Sequence, residues 1–379
     1  MSLVKRIEWA RRVKEEAVEE LSSTVGGEGV ERARRDHHSR RKPRPCGLTI
    51  HTGYGCSYGC IYCYIYDMGF PASPEPYPLT VEEQALAIAL NPYVVPGHTF
   101  AAYGSVTEPF LHEVLDRSVR LISTVYRYLR LPSQVSTKSL LIGAVVEGLM
   151  RGDPNLSVLV SVSAVGREAR ILEPRAPPAE DRILYAGWAA RRGLRVALFM
   201  RPIIPGVTDR QASTILRMAW EAGVREVVLG SLRVTTRILM VLEHAGFPVP
   251  AQLIPRVPRS RREQVTLRAS TLKEAIAAEA RRMGFKVYPT ACAANTVSHS
   301  LPCNMCRYGP CYTQPPTPSP EEVEEALEIL GLKRYKLVRV TGYEILLKGP
   351  RPTKRVEPSL YWLRDTSRLR VRIAGKMTI

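Results

Sequence analysis

The chain is predicted to be an α/β protein built on a partial (βα)6 barrel of parallel strands, TIM-barrel-like but open. Three observations predict this. Short apolar segments alternate with helical patterns from residue 46 to about 284, glycine, proline and polar clusters separate them, and six such units are too few for a closed eightfold barrel.

The strands are read at 47–52 (GLTIHT), 99–106 (TFAAYGSV), 134–137, 157–165 (SVLVSVSAV), 195–203 (RVALFMRPI) and 226–234 (EVVLGSLRV). Near-continuous apolar runs such as SVLVSVSAV suit strands covered on both faces, as in parallel sheets. Helical patterns fall near 80–90, 110–130, 139–151, 178–192 and 208–222. In folds of this kind ligands bind beyond the carboxyl ends of the strands.

Three segments flank this barrel of residues 46–284. Residues 1–45 form a basic N-terminal extension, with a short charged helix at 7–22 carrying Ile7, Val13, Val18 and Leu21 on a thin apolar face. TVGGEG then breaks it, and ERARRDHHSRRKPRP reads as a mobile basic run in which His37 and His38 are solvated. A helix at 270–283 and a strand at 285–290 lead into a Cys-rich metal-binding extension, residues 285–318. Residues 319–379 begin with a helix near Pro320 and continue as a small basic β-rich C-terminal module, with VRVTGYEILLKG and RLRVRIAGK as its strands.

The formal net charge of +18 is concentrated at the ends. Residues 1–45 hold 12 basic and 8 acidic side chains, and residues 333–379 hold 13 and 3, so the 287 residues between them carry only +4. Basic ends on a near-neutral body suggest a polyanionic partner. Arginine outnumbers lysine 43 to 11, with 4 Asn and 6 Gln, the composition expected of a thermophile. No apolar run is long enough to span a bilayer, and the charged start lacks the apolar centre of a signal peptide, so no membrane partner and a cytoplasmic location are expected. In that compartment clustered cysteines are metal sites or catalytic rather than disulfides.

Cys56, Cys60 and Cys63 form a C-x3-C-x2-C array in GYGCSYGCIYCY, directly after the first barrel strand. Glycines at 53, 55 and 59 let the backbone fold tightly enough for three thiolates to converge on one centre. Three thiolates on a four-iron cluster leave one iron without a protein ligand, a vacancy that a cosubstrate can fill. Structural zinc is the competing reading and wants a fourth ligand, for which His51 or Cys46 is available.

This array on a loop after the first strand of a βα series resembles the radical-SAM superfamily. YGSVTEP at 103–109, STKS at 136–139, LEPRAP at 172–177 and PIIPGVTD at 202–209 resemble its spore photoproduct lyase-related branch, in the same order and over roughly residues 46–235. The resemblance implies that Cys56, Cys60 and Cys63 hold a 4Fe–4S cluster whose open iron is chelated by S-adenosylmethionine. It implies that Tyr62 lies beside the adenine and that Ser105, Thr107 and Glu108 take the methionine amine. Lys138, Ser161 or Ser163, and Arg175 would contact ribose or carboxylate, and Ile204 would pack on adenine. Chemically, a zwitterionic cosubstrate needs an acceptor for its ammonium and cations for its carboxylate, which Glu108, Lys138 and Arg175 can supply. The implied activity is reductive cleavage of S-adenosylmethionine to a 5′-deoxyadenosyl radical that abstracts hydrogen from a substrate, with ferredoxin or flavodoxin as electron donor. One departure matters: the branch uses a further cysteine near GSVTE as hydrogen donor, and here there is none between 63 and 292. Tyr103 is the speculative substitute.

Cys292, Cys303, Cys306 and Cys311 are enough to close a second centre, either an auxiliary 4Fe–4S cluster, which is favoured, or structural zinc. Cys46 is left as a free thiol. The C-terminal module interleaves Lys and Arg with Tyr335, Tyr343, Tyr361 and Trp362, a composition suited to gripping phosphates and stacking on bases. A nucleic acid, RNA favoured over DNA, is therefore the expected substrate. Peptide or protein modification is the alternative within the enzymes. A non-catalytic, zinc-stabilised nucleic-acid-binding protein is the alternative outside them.

Overall fold

The structure, a computed structural model, describes residues 1–379. The chain opens with α1 (Leu3–Arg35), followed by β1 (Leu48–Thr49), a small hairpin of β2 (Gly53–Tyr54) and β3 (Glu75–Pro76), and α2 (Val81–Leu90). Strand–helix alternation then runs through β4 (Ala101–Tyr103), α3 (Leu115–Leu129), β5 (Ser133–Thr137), α4 (Gly143–Gly152), β6 (Ser157–Ser161), α5 (Gly166–Leu172) and α6 (Ala179–Arg191). It continues through β7 (Arg195–Ile203), α7 (Thr208–Ala222), β8 (Glu226–Ser231), β9 (Arg233–Val234), α8 (Thr236–His244), β10 (Val265–Thr266), α9 (Ser270–Arg282), β11 (Lys286–Tyr288) and α10 (Ala291–Ser298). The C-terminal part holds α11 (Pro320–Ile329), β12 (Lys336–Val340), β13 (Glu344–Lys348), α12 (Glu357–Ser367), β14 (Arg370–Ile373) and β15 (Met377–Thr378).

The main sheet has seven strands in the order β1-β4-β5-β6-β7-β8-β11, every neighbouring pair parallel. The open parallel barrel is thus as expected. The seventh strand is an addition: β11, read from sequence as a lead into the cysteines, pairs with β8 from Lys286 to Tyr288 and extends the sheet. β6 is buried along its whole length, which explains why SVLVS shows no polar alternation.

α10 enters the lumen of the barrel from one end. Ala293 and Ala294 pack with Cys303, Met305 and Cys311 against the inward residues Phe100, Leu159, Ala197, Phe199, Val228 and Tyr288. Gln134 on β5 holds the helix by donating to the Ala291 carbonyl at 2.8 Å, and Asn295 donates to the Pro132 carbonyl at 3.0 Å. One end of the barrel is thereby plugged.

Two local expectations are corrected. The N-terminal helix does not stop near residue 22: it runs to Arg35 with a kink at Gly26, where φ is 68°. Packing overrides the weak propensity of VGGEG, because Leu21, Gly29 and Ala33 are buried and Arg32 Nε donates to Glu83 of α2 at 3.0 Å. The second half of the C-terminal module is not purely β, since α12 stands between β13 and β14. The two chain ends share one core: Leu3, Ile7 and Ala10 of α1 pack with Leu327, Ile345, Leu347, Leu360, Leu363 and Val371. Each buried leucine, isoleucine or valine among them contributes about 1.5–3 kcal/mol. Tyr335 and Trp362 belong to this core, so they do not stack on bases. Tyr343, 58% exposed, remains free to do so.

No helix is long and apolar enough to cross a membrane.

Candidate active site

The loop after β2 is held in a tight coil. Gly55 and Gly59 have φ of 77° and 66°, and a Cβ on Gly59 would sit 2.8 Å from Nη2 of Arg175. The backbone anchors it at three places: Cys56 N donates to Pro71 O at 3.3 Å, Ile61 N to Leu172 O at 3.0 Å, and Arg175 N to Tyr58 O at 3.2 Å. Side chains complete the hold. Arg237 donates to Cys63 O and to the buried Asp67, each at 2.6 Å, and Thr235 donates to Asp67 at 2.7 Å.

Cys56, Cys60 and Cys63 project from this loop close enough to influence one another electrostatically. Burial pushes all three thiols up, Cys56 to about 11, while Lys138 works the other way. Left alone they stay protonated at neutral pH, so a cation must stabilise their thiolates. The one group of three or more cysteine, histidine or carboxylate ligand atoms within 4.8 Å of each other is His37, His38 and His51. Three cysteines on one tight loop, and four at the second cluster, are donor sets that either iron–sulfur or zinc can use.

Beside the loop lies a cavity of about 290 Å³. Tyr62, Cys63, Tyr103, Ser105, Lys138 and Ser161 line it. The hydroxyls of Ser105 and of Thr107 nearby are buried without partners. Lys138 places Nζ 5.6 Å from the centre of the Tyr62 ring. Burial opposes the charge on Lys138, but Cys60 and Glu173 raise its pKa overall.

Glu108 is buried behind the cavity. Its carboxylate accepts from the Thr137 hydroxyl, from Lys138 N at 2.7 Å and from the Ser139 hydroxyl at 3.2 Å. Burial raises its pKa, and these donors only partly oppose the rise. Ser163 and Ile204 are fully buried and do not line the cavity. Arg175 is exposed, with its guanidinium over the back of the loop at Gly59. Two residues beside these were not read from sequence: Glu173 accepts from the Tyr62 hydroxyl and pairs with the buried Arg182. The LEPR motif carries Glu173, but nothing local shows that it, rather than Arg175, faces inward.

At the second cluster, Cys303 and Cys311 lie on paired segments, with mutual backbone hydrogen bonds of 3.1 and 2.8 Å. Arg370 donates to Cys306 O at 3.0 Å. Burial raises Cys292 above its ordinary range, and Cys46, Cys303 and Cys306 add to the rise. Cys46 therefore stands at this second cluster.

The reading of His37 and His38 as a solvated run is corrected. His38 is fully buried, its Nδ1 is 2.7 Å from Asp36, and His51 N donates to its Nε2 at 3.3 Å. The contact that folds the run inward is with Tyr77 and His51, distant in sequence, so composition does not reveal it. His51 thus joins a histidine cluster.

No protein-family model matches the chain, and no curated protein matches it. Among solved structures, spore photoproduct lyase complexed with dinucleoside spore photoproduct is 15% identical, with a TM-score of 0.55, covering 67% of this chain and 79% of that one. Two point mutants of spore photoproduct lyase align similarly. One has 15% identity and a TM-score of 0.54, covering 65% of this chain and 78% of the other. The second has 14% identity and a TM-score of 0.52, covering 63% and 75%. The chain has the fold of spore photoproduct lyase, the branch its motifs resemble.

Proposed function

We propose that the chain is a radical S-adenosylmethionine enzyme acting on a nucleic acid, with RNA the first class to test. The observation that carries this reading is the loop of Cys56, Cys60 and Cys63: three thiols brought together on one tight coil and set against a cavity lined by Tyr62, Ser105 and Lys138. A 4Fe–4S cluster held there by Cys56, Cys60 and Cys63 would supply the electron for reductive cleavage of S-adenosylmethionine.

The chain's own residues bind, orient and exclude water. Glu108, fixed by the Lys138 amide and two hydroxyls, offers a carboxylate for the methionine ammonium, and Ser105 and Thr107 carry unpartnered hydroxyls near it. Lys138 supplies the cation for the carboxylate, with Ser161 lining the same wall. Tyr62, packed under Lys138, offers a face for the adenine. Ser163 and Ile204 support this wall from behind. Arg175 acts through the loop backbone at Gly59 rather than on the ligand.

Tyr103 is the candidate hydrogen donor in place of the missing cysteine. The residue lines the cavity, its ring packs in the main core, and its hydroxyl lies near Ser133, where burial raises its pKa so that it keeps its proton. Cys292, Cys303, Cys306 and Cys311 would hold a second 4Fe–4S cluster, with structural zinc the alternative. An electron donor of the ferredoxin or flavodoxin type completes the reaction.

The test is isotopic. Anaerobic protein reconstituted with iron and sulfide is given S-adenosylmethionine, reductant and deuterated RNA or DNA. Deuterium is expected in 5′-deoxyadenosine from a nucleic acid. Label arising only from deuterated peptides would overturn the choice of substrate.

A further inference from the structure

Arg201 is a guanidinium without a partner. It follows Ala197 and Phe199 on β7, which face the barrel lumen, and it lines the cavity beside the cysteine loop. It makes no hydrogen bond or ion pair within the chain, and burial, with Arg233 adding to it, lowers its pKa. Its place is built: a Cβ on Gly230 of the neighbouring β8 would lie 2.6 Å from Arg201 Cδ and 2.9 Å from its Cβ, so only glycine leaves room.

The rest of the lining has the same sign. Arg233 has one weak bond, to Gln264 Oε1 at 3.4 Å, and Lys138 is the third cation. No aspartate or glutamate lines the cavity. All three cations are half-buried, and a cavity with three of them and no carboxylate has a positive field that favours anions. S-adenosylmethionine brings one carboxylate, which Lys138 can take. Two guanidinia remain, beside the aromatic residues Tyr64 and Phe199, with Arg201 Cζ 5.5 Å from the Phe199 ring centre.

We propose that Arg201, seconded by Arg233, is the clamp for a phosphodiester of the substrate, and that this diester enters the barrel lumen next to an aromatic-stacked base. Guanidinium forks suit phosphate oxygens, and stacking with phosphate contacts is the usual grip on single-stranded nucleic acid. This names the substrate's anionic handle and rests on the reading of the cavity as a nucleic-acid-modifying site.

The experiment measures binding without reductant, so its outcome is independent of whether S-adenosylmethionine is cleaved. Anaerobically reconstituted protein with S-adenosylmethionine is titrated with uridylyl-uridine, thymidylyl-thymidine and the uncharged methylphosphonate analogue of each. The wild type is expected to prefer at least one diester over its neutral analogue by about ten- to a hundredfold, the range of a charge-assisted hydrogen-bonded contact. Arg201→Gln is expected to abolish that preference while binding the neutral analogue within about twofold of wild type, and Arg201→Lys to restore part of it. Equal binding of diester and neutral analogue by the wild type would overturn the proposal, whatever the fate of the variant. So would an Arg201→Gln protein that keeps the preference, or a cavity occupied by a peptide carboxylate probe in place of both diesters.

Discussion

Tyr62, the residue just before the last cysteine of the loop, donates its phenolic hydrogen to Glu173, whose other oxygen pairs with the buried Arg182. The link ties the loop to α6, and Arg182 also donates to the Ser161 carbonyl at the end of β6. The Tyr62 ring, proposed to face the adenine, is therefore held by an internal ion pair.

Breaking that pair is expected to be expensive. Glu173→Gln leaves Arg182 charged and uncompensated in the interior, a change that costs about 3–5 kcal/mol. Tyr62→Phe removes one hydrogen bond to a charged group and costs about 1.5–3 kcal/mol. Urea unfolding with iron content per chain checks both: Tyr62→Phe should keep its iron, and a Glu173→Gln protein as stable as wild type would contradict the assignment.

Glu108→Gln is expected to separate stability from binding. The carboxylate's pKa is raised by burial, so its ionised form is disfavoured in the fold: its contribution is present below the unfolded pKa and is lost as pH rises past it. At pH 7 the amide should therefore match or exceed wild-type stability. Affinity for S-adenosylmethionine should fall about tenfold or more as the ammonium loses its acceptor. Isothermal titration beside thermal melting reads both. Unchanged affinity would remove Glu108 from the site.

The histidine cluster makes the fold acid-sensitive. Burial first, then His38 and other nearby cations, lowers His51 to about 3. An unfolded histidine binds its proton near pH 6.5, so stability from the buried neutral ring is complete above that value and declines as pH falls toward 3. At pH 5 the loss from His51 alone is about 2 kcal/mol. Urea midpoints at pH 7 and pH 5 measure it, and His51→Gln should flatten the difference. Asp36, held low by its bonds to His38 and Tyr77 although burial opposes this, adds a further loss at still lower pH.

Tyr103→Phe tests the hydrogen donor. Formation of 5′-deoxyadenosine is expected to continue while conversion of substrate falls by about a hundredfold, within the usual range for a lost proton- or hydrogen-transfer group. Equal loss of both would point to a packing defect instead.

The barrel was legible in the sequence because its strands carry their own signal. SVLVSVSAV and RVALFMRPI are apolar enough, and separated by helices of suitable length, to announce a buried parallel sheet. The cysteine loop was legible because three ligands lie within eight residues. What escaped depends on distant partners. Arg35 is helical because α1 packs along α2, and β11 is a barrel strand because β8 offers it an edge. Trp362 is a core residue because α1 folds back to cover it. Arg201 could have been suspected as a lone cation in an apolar strand, but its lack of a counter-ion becomes visible only when the cavity closes around it.

The most direct measurement compares wild type with Cys56→Ala/Cys60→Ala/Cys63→Ala after anaerobic reconstitution, reading iron, sulfide and dithionite-dependent 5′-deoxyadenosine. Wild type should carry about eight irons and the variant about four, with 5′-deoxyadenosine formed only by the wild type. A variant that still forms 5′-deoxyadenosine, or a wild type that binds zinc and no iron, would contradict the loop's assignment.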